Sequence, residues 1–373
     1  MAGTKPVKIA FIVDRWGQQG GTEGYVWNLV RWLISQGHQV TVFAGTAEEG
    51  GRKPLPGAQV HSLGIRPVGV YGLGVFLWKT RRLPLESFDV VQGFGRSRNH
   101  QIYRSGGGVH AVWLRRKSQG WKYYARRAFS IKDYIELSVD REAQTSAQVL
   151  VCNSRMSMKQ ATEWLGVDAS RIQVVRNGVD LKRFRPRPEL RADQRALWSV
   201  PETGRVVMFL GGGFARKGLG VALKAFGACA LPEDRFVVVG KDRRLSVYQD
   251  LANRCAWGQV RFLDPTNEPE LMLAAADVSI LPTLYDSAAN TTLEAMACGV
   301  TPVTSIWDGN AEIHPDPQCV IDDPRAVTQV SDALTYALNN MHLGEACRAA
   351  AECWPVSRNG KAMESIYQRV VYG

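Results

Sequence analysis

Long apolar runs are missing from this sequence of 373 residues. No uninterrupted stretch approaches the roughly 18 apolar residues that a membrane-spanning helix needs, so we expect no such helix. The N-terminal segment MAGTKPVKIAFIV enters a strand-like run directly, without the apolar core and small-residue cleavage site of a signal peptide. Low-complexity tracts are also lacking, and 45% hydrophobic with 22% charged residues is typical of a soluble globular protein. The length favours two domains.

Paired cysteines and metal-binding motifs are absent as well. The seven cysteines are scattered, none has CxxC spacing, and no histidine cluster or Asp-x-Asp motif accompanies them. We therefore expect reduced, buried thiols in a cytosolic protein, and neither a metal nor another cofactor.

Negative charge is scarce in one half of the chain. The formal net charge is +11, but residues 1–180 carry +12 and residues 181–373 carry −1. A basic lobe of this kind indicates an anionic partner, such as membrane headgroups, a phosphorylated acceptor or nucleic acid.

Between Val90 and Lys132 there is no carboxylate at all, while ten basic residues alternate with aromatic ones. This composition favours contact with an anionic membrane or glycolipid over nucleic acid, because no nucleic-acid-binding module accompanies it. The alternative is a solvated helix with some core aromatic residues. The candidate membrane or acceptor residues are Arg104, Trp113, Arg115, Arg116, Lys117, Trp121, Lys122, Arg126 and Arg127.

The chain opens with a strand–loop–helix–strand pattern. Val7–Val13 reads as a strand, the loop GQQGGTEG follows, Tyr25–Ser35 has helical apolar spacing, and Gln39–Ala44 reads as the next strand. Glycines at this place let a backbone approach a phosphate. A nicotinamide site is disfavoured, because the glycines run GxxGGxxG and strand two ends in Ala44-Gly45 without an acid.

Short apolar runs alternate with helical segments along the rest of the chain, which predicts a Rossmann-like parallel sheet in each half. The predicted strands are Phe88–Gln92, Val149–Asn153, Ile172–Val175, Val206–Leu210, Phe236–Val239, Gln259–Leu263, Val278–Leu281 and Val300–Val303. The basic segment RFRPRP reads as a linker, so we expect an α/β protein with lobes 1–180 and 181–355.

A glycine-rich turn with two cations follows the predicted strand Val206–Leu210. In GGGFARKGLG, a backbone nest precedes Arg216 and Lys217, which predicts a diphosphate site. It is not a P-loop, because the Gly-Lys-Ser/Thr order is missing. Gly212 in this turn and Gly240, at the end of the next strand, lie where a nucleotide would pass.

Two carboxylates flank a loop-to-helix junction in ADVSILPTLYDSAANTTLEAMACGVTPVTS. Asp286 begins a polar loop, a helix is predicted from Thr291 to Cys298, and Glu294 lies inside it. The loop follows a parallel strand and leads into a helix N-terminus, where ligands and anions bind. Taken alone, the two acids are equally compatible with an ordinary surface loop.

Four motifs together resemble glycosyltransferase family 4. They are the Gly-Gly-x-Glu loop, the segment RNGVDLKRF, the ARKG turn, and the Asp286–Glu294 spacing. The family usually has glutamate at the first of these two acidic positions, whereas this chain has aspartate. The resemblance implies a GT-B fold, two Rossmann-like lobes facing across a cleft, with the terminal segment 356–373 packing back on the first lobe.

The resemblance also implies a role for individual residues. Gly20 and Gly21 would pass close to the donor phosphates or the acceptor, and His110, which follows three glycines, would lie beside the donor sugar. Arg216 and Lys217 would hold the diphosphate, Asp286 the sugar hydroxyls, and an ionised Glu294 the ribose hydroxyls. The remaining donor contacts would be loop amides facing the phosphates: Ala288, Ala289, Asn290 and Thr291.

The implied activity is retaining transfer of a sugar from a nucleotide diphosphate sugar, with UDP-sugar as the default. The segment GGGVHAVWLRR is similar to one in lipopolysaccharide-core transferases, which implies a glycolipid acceptor at the inner face of the cytoplasmic membrane. Three alternatives remain: transfer to another envelope polysaccharide, a UDP-sugar epimerase on the same fold, and a catalytically silent scaffold. No nucleic-acid partner is expected.

Overall fold

The computed structural model describes residues 5–17, 20–47, 55–118, 123 and 130–373. The chain divides into two compact units, Met1–Gly178 with Val356–Gly373, and Val179–Pro355. Among the described residues, no helix is long and apolar enough to cross a membrane.

The first unit contains a seven-stranded parallel sheet in the order β3-β2-β1-β4-β5-β6-β7. Its strands are β1 Lys8–Trp16, β2 Gln39–Ala47, β3 Ala58–Ser62, β4 Val90–Phe94, β5 Ile102–Ser105, β6 Val149–Cys152 and β7 Ile172–Val174. Its helices are α1 Gly21–Ser35, α2 Gly69–Thr80, α3 His110–Lys117, α4 Ile131–Ser146 and α5 Arg155–Gln160, the last continued by a π-helical turn, Ala161–Leu165. A short 3-10 segment, Leu85–Ser87, precedes β4, and another, Ala169–Arg171, precedes β7.

The second unit repeats this plan with six parallel strands in the order β10-β9-β8-β11-β12-β13. Its strands are β8 Val206–Leu210, β9 Arg235–Val239, β10 Val260–Leu263, β11 Val278–Leu281, β12 Thr301–Ser305 and β13 Val320–Ile321. Its helices are α6 Pro188–Leu197, α7 Phe214–Lys217, α8 Leu219–Cys229, α9 Leu245–Cys255, α10 Pro269–Ala274, α11 Asn290–Ala297, α12 Val327–Asn339 and α13 Leu343–Glu352. Gly309–Ile313 and Pro317–Cys319 form 3-10 turns. Both sheets have the doubly wound order of Rossmann-like domains, which confirms the predicted fold class.

The last helix, α14 Val356–Tyr372, returns to the first unit. Met363, Ile366 and Tyr367 are buried in the core formed by β1, β2, β4 and α1. A Cβ atom on Gly360 would lie 2.2 Å from the Trp32 ring, so α14 and α1 touch at a residue without a side chain. Burial of these large side chains fixes the terminal helix against this sheet.

The predicted start of the first helix was wrong, and strand β5 of the first unit was not predicted. Helix α1 begins at Gly21, not at Tyr25, so Glu23 lies in its first turn. Residues 102–105, inside the acid-free tract, form the buried strand β5. A central strand flanked by parallel neighbours is buried on both faces, so the tract cannot be surface throughout.

Candidate functional site

The carboxyl edge of the second sheet brings several of the predicted residues together. Strand β8 pairs with β9 on one side and with β11 on the other, and the strand order reverses at β8. The carboxyl edge at such a reversal is the usual ligand site of doubly wound sheets.

Glycines allow three backbone segments to approach closely at this edge. A Cβ atom on Gly240 would lie 2.2 Å from the Gly211 carbonyl oxygen, and one on Gly211 would lie 2.7 Å from Lys217 Nζ. Gly218, with φ +79°, would meet the Pro282 carbonyl oxygen at 2.1 Å. Any side chain at these positions would collide with backbone or displace the lysine. Gly212 is exposed in the same turn.

The two predicted phosphate-binding cations are placed differently. Lys217 is buried, and burial lowers the pKa of its ammonium group, against the opposing charge of Asp286. Arg216 is half-buried, and its Nη1 donates to Asp286 Oδ2 at 2.7 Å and to the Tyr285 carbonyl oxygen at 2.9 Å. The Arg216 carbonyl in turn accepts from the Leu284 amide at 2.8 Å. Two residues expected to bind different parts of one ligand therefore bind each other.

Helix α11 begins directly after this loop, at Asn290. The hydroxyl of Thr291, in the first turn, is buried and has no hydrogen-bond partner among the described residues. A buried hydroxyl without a partner is unusual, and this one lies where the positive end of the helix dipole favours anions. The amide of Ala289 does not fit its predicted role, because it donates to Asp308 Oδ1 at 2.9 Å and is directed inward. Ala288 is buried beside it, and Asn290 is half-buried.

Glu294 lies one turn further along α11. Burial raises the pKa of its carboxyl to about 7, the charges of Arg183 and Lys217 oppose the rise, and Glu270 adds to it. Arg183 is itself paired with Glu270 at 2.7 Å. Burial therefore works against the ionised Glu294 that the resemblance implies.

Asp308, which follows β12, was missed by the sequence analysis. It is fully buried and bridges to Asp286 along the backbone, where the Asp286 amide donates to the Trp307 carbonyl at 2.8 Å. Burial and the nearby Asp286 charge raise the pKa of Asp308 to about 6. The sequence carried no signal for it beyond a polar WDGN segment after a strand.

His110 belongs to the first unit and begins α3. Its Nε2 lies 3.4 Å from Glu136 Oε2, and its backbone amide donates to Asp140 Oδ2 at 3.0 Å. Burial lowers the pKa of His110, and Glu136 opposes this effect. The ring is therefore neutral near pH 7 and is held at the carboxyl edge of β5.

Gly20 and Gly21 lie at the carboxyl edge of β1, at the start of α1. Gly20 has φ +112°, and a Cβ atom there would lie 2.2 Å from Glu23 Oε2. The Glu23 carboxylate thus lies against Gly20. A Cβ atom on Gly21 would have no other heavy atom within 4 Å.

The acid-free tract is less of a continuous surface than predicted. Arg104 is a correction: it is buried on β5, stacks on the Tyr25 ring with a guanidinium-to-centroid distance of 3.7 Å, and donates to Asn177. Arg96 and Arg98 pair with Glu136 and Glu142 of α4. Arg115 and Lys117 are exposed, and Trp113 and Arg116 are half-buried. Trp121, Lys122, Arg126 and Arg127 lie outside the described residues.

Two family models match the chain, one on each unit. Glycosyltransferase Family 4 matches residues 19–183, and Glycosyl transferases group 1 matches residues 204–340. Among the described residues, no group of three or more His, Cys, Asp or Glu side chains is arranged to hold a metal ion.

Curated relatives agree with these models. The chain is 22% identical over 349 residues to the lipopolysaccharide glucosyltransferase WaaG of Escherichia coli strain K12. The aligned region covers 90% of this chain and 90% of WaaG. It is 32% identical over 184 residues to a D-inositol 3-phosphate glycosyltransferase of Salinispora arenicola. That match spans 44% of this chain and about two fifths, 41%, of the Salinispora protein.

Solved structures show the same fold. The crystal structure of WaaG superposes with a TM-score of 0.83 at 20% identity, over 96% of this chain and 99% of WaaG. Anabaena HepE, solved in complex with UDP and glucose, superposes with a TM-score of 0.73 at 17% identity, over 96% and 99% of the two chains. The paired family models and these likenesses show that the chain belongs to the family 4 glycosyltransferases and has their GT-B fold.

Proposed function

We propose that this chain is a retaining transferase that moves a sugar from a UDP-sugar to a glycolipid acceptor of the lipopolysaccharide core. The observation that carries the proposal is the grouping of Arg216, Lys217, Asp286 and Glu294 around the start of α11. Two cations beside a helix N-terminus match a diphosphate, and carboxylates on either side match hydroxyl groups. The similarity to WaaG along 90% of the chain supports the acceptor class, and the UDP bound by HepE supports the nucleotide.

In this proposal the donor separates Arg216 from Asp286. A diphosphate carries two negative charges and can accept from both Arg216 and Lys217, whereas the Asp286 carboxylate offers a single charge. The diphosphate therefore takes Arg216, and Asp286 is released toward the sugar hydroxyls. Glu294 accepts from the ribose hydroxyls, and the Thr291 hydroxyl donates to a phosphate oxygen.

The transfer step needs no protein nucleophile. The acceptor oxygen bonds to the anomeric carbon on the face from which the phosphate leaves. The bond from that carbon to the phosphate oxygen breaks, and the acceptor proton passes to the leaving phosphate. Arg216 and Lys217 offset the charge that develops on the nucleoside diphosphate, so we expect no metal requirement. His110, neutral at pH 7, would hydrogen-bond the sugar or the acceptor.

Exposed aromatic and basic side chains on three helices of the first unit support the proposed association with a membrane surface. Tyr71 and Trp78 of α2 are 80% and 54% exposed, and Ile131 and Tyr134 of α4 are 75% and 68% exposed. Helices α2 and α3 both pack against α4, and α3 adds the exposed cations Arg115 and Lys117. Exposed aromatic and basic groups together match the interface of an anionic bilayer.

Product analysis tests the transfer reaction. With UDP-glucose or another UDP-sugar and purified lipopolysaccharide-core acceptors, we expect a glycosylated acceptor and released UDP, with an unchanged rate in the presence of a chelator.

Lys217→Ala should raise the donor KM or lower kcat by at least tenfold, because a buried charge facing the diphosphate is lost. No nucleotide release with any donor would contradict the proposal and favour the silent scaffold. Epimerised UDP-sugar without acceptor would favour the epimerase.

The pH dependence of donor binding tests the role of Glu294. Ribose hydroxyls donate to an ionised carboxylate, so affinity is high above the pKa of about 7 and falls as the group takes up a proton. We expect UDP-glucose to bind about tenfold more weakly at pH 6 than at pH 8 by calorimetry. In Glu294→Gln most of this difference should be lost, leaving the smaller part that comes from Asp308, whose pKa is about 6. A wild-type affinity that is flat over this range would refute the assignment.

Vesicle co-sedimentation tests the proposed binding of the first unit to an anionic membrane. Binding should require anionic lipid and weaken with salt, because exposed charges are screened. Trp78→Ser and the pair Arg115→Glu with Lys117→Glu should each reduce binding several-fold. Matched changes in the second unit, Trp257→Ser and the pair Arg254→Glu with Arg261→Glu, should have no effect. Equal binding to neutral vesicles would exclude the electrostatic account.

A further inference from the structure

The carboxylate of Asp308 accepts four hydrogen bonds in a fully buried position. Oδ1 accepts from the backbone amides of Ala289 at 2.9 Å and Asn310 at 3.0 Å. Oδ2 accepts from the hydroxyl of Thr292 at 2.6 Å, and it shares the single proton of the Thr304 hydroxyl, 3.1 Å away, with the Leu281 carbonyl oxygen, 3.2 Å from that hydroxyl. Both oxygens are satisfied, which is what a buried carboxylate requires.

Two of these donors belong to the start of α11. The N-cap residue of this helix is Ala289, which has no side-chain oxygen, and the structure has no side-chain cap from within the helix. Asp308, in the loop after β12, accepts from the amide of Ala289 itself and from the hydroxyl of Thr292, the third helical residue. An N-cap side chain accepts from the backbone amide of the second or third helical residue, so Asp308 holds the helix start by different bonds, from 19 and 16 positions away in the chain.

The segment 307–310, which carries Asp308, also holds the other end of the loop that precedes α11. The Asp286 amide donates to the Trp307 carbonyl at 2.8 Å, and the Gly309 amide donates to the Asp286 carbonyl at 3.0 Å. Asn310 Nδ2 donates to the Ala289 carbonyl at 2.8 Å. The segment from Asp286 to Ala289 is therefore fastened at both ends to the segment that carries Asp308.

We propose that Asp308 is a positioning residue of the donor site, which fixes the loop from Asp286 to Ala289 and the first turn of α11 in the geometry that receives the nucleotide sugar. This inference rests on the proposed function. Asp308 itself does not touch the donor. It acts by holding two groups in place. These are the Asp286 carboxylate, within reach of Arg216, and the Thr291 hydroxyl, at the start of α11.

The test compares Asp308→Asn with changes at the two hydroxyls. Asparagine keeps the shape of the side chain but loses the charge and one acceptor. We expect the Kd for UDP-glucose to rise about tenfold and amide exchange in the peptide 286–293 to accelerate, by loss of charge-assisted bonds to the loop. Thr292→Val should act in the same direction, and the double variant should be less than additive.

Thr304→Val is the matched control, because it removes a hydroxyl from the same carboxylate on the β12 side and leaves the loop contacts in place. Its Kd should stay within about twofold of wild type, and its melting temperature should show what a purely structural loss in this pocket costs. If Asp308→Asn leaves exchange in 286–293 unchanged, or if it weakens binding no more than Thr304→Val, the positioning role is overturned. If the wild-type chain binds no nucleotide sugar, the proposed function is overturned, and with it the role of Asp308 toward the donor. Amide exchange in the peptide 286–293 still tests separately whether Asp308 holds the loop, because that measurement needs no ligand.

Discussion

The Arg216 guanidinium lies 2.7 Å from the Asp286 carboxylate and joins the loops that leave β8 and β11, at the place where the strand order reverses. Most other features of the second unit's site help to bring these two side chains together or lie directly beside them. Glycines 211, 218 and 240 let the backbones converge, Lys217 is buried beside them, and Asp308 fixes the loop that carries Asp286. The site concentrates charged groups that are buried or half-buried, so each interacts more strongly with its neighbours than it would at an exposed surface.

The raised pKa values of Glu294 and Asp308 are a consequence of that concentration. Burial disfavours their ionised forms, and only a few cations lie near enough to compensate. Such groups reduce the stability of the unit at neutral and higher pH, where the unfolded chain holds them ionised without penalty. In the proposed function, ribose hydroxyls that donate to Glu294 would offset part of this cost, whereas Asp308 already has its hydrogen-bond donors within the protein.

Local patterns in the sequence were enough to predict the fold class and to indicate which residues of the second unit lie near one another. Alternating apolar runs indicated the two parallel sheets, and ARKG with the Asp286–Glu294 spacing indicated where Arg216, Lys217 and the start of α11 would meet. Asp308 was beyond such reasoning, since its partners Ala289 and Thr292 lie 19 and 16 residues away and are brought to it only by strand pairing. The acid-free tract shows the opposite error. Arg96 and Arg98 find their acids on α4, just beyond the tract, and Arg104 is placed inside by β5.

A structure of the full chain with UDP-glucose tests the central claim most directly. The account predicts the diphosphate on Arg216 and Lys217, the ribose on Glu294, and an Arg216–Asp286 separation beyond hydrogen-bonding distance, with the loop from Asp286 to Ala289 still fastened to Asp308. A bound donor that leaves the Arg216–Asp286 pair intact, or one located away from the start of α11, would contradict it.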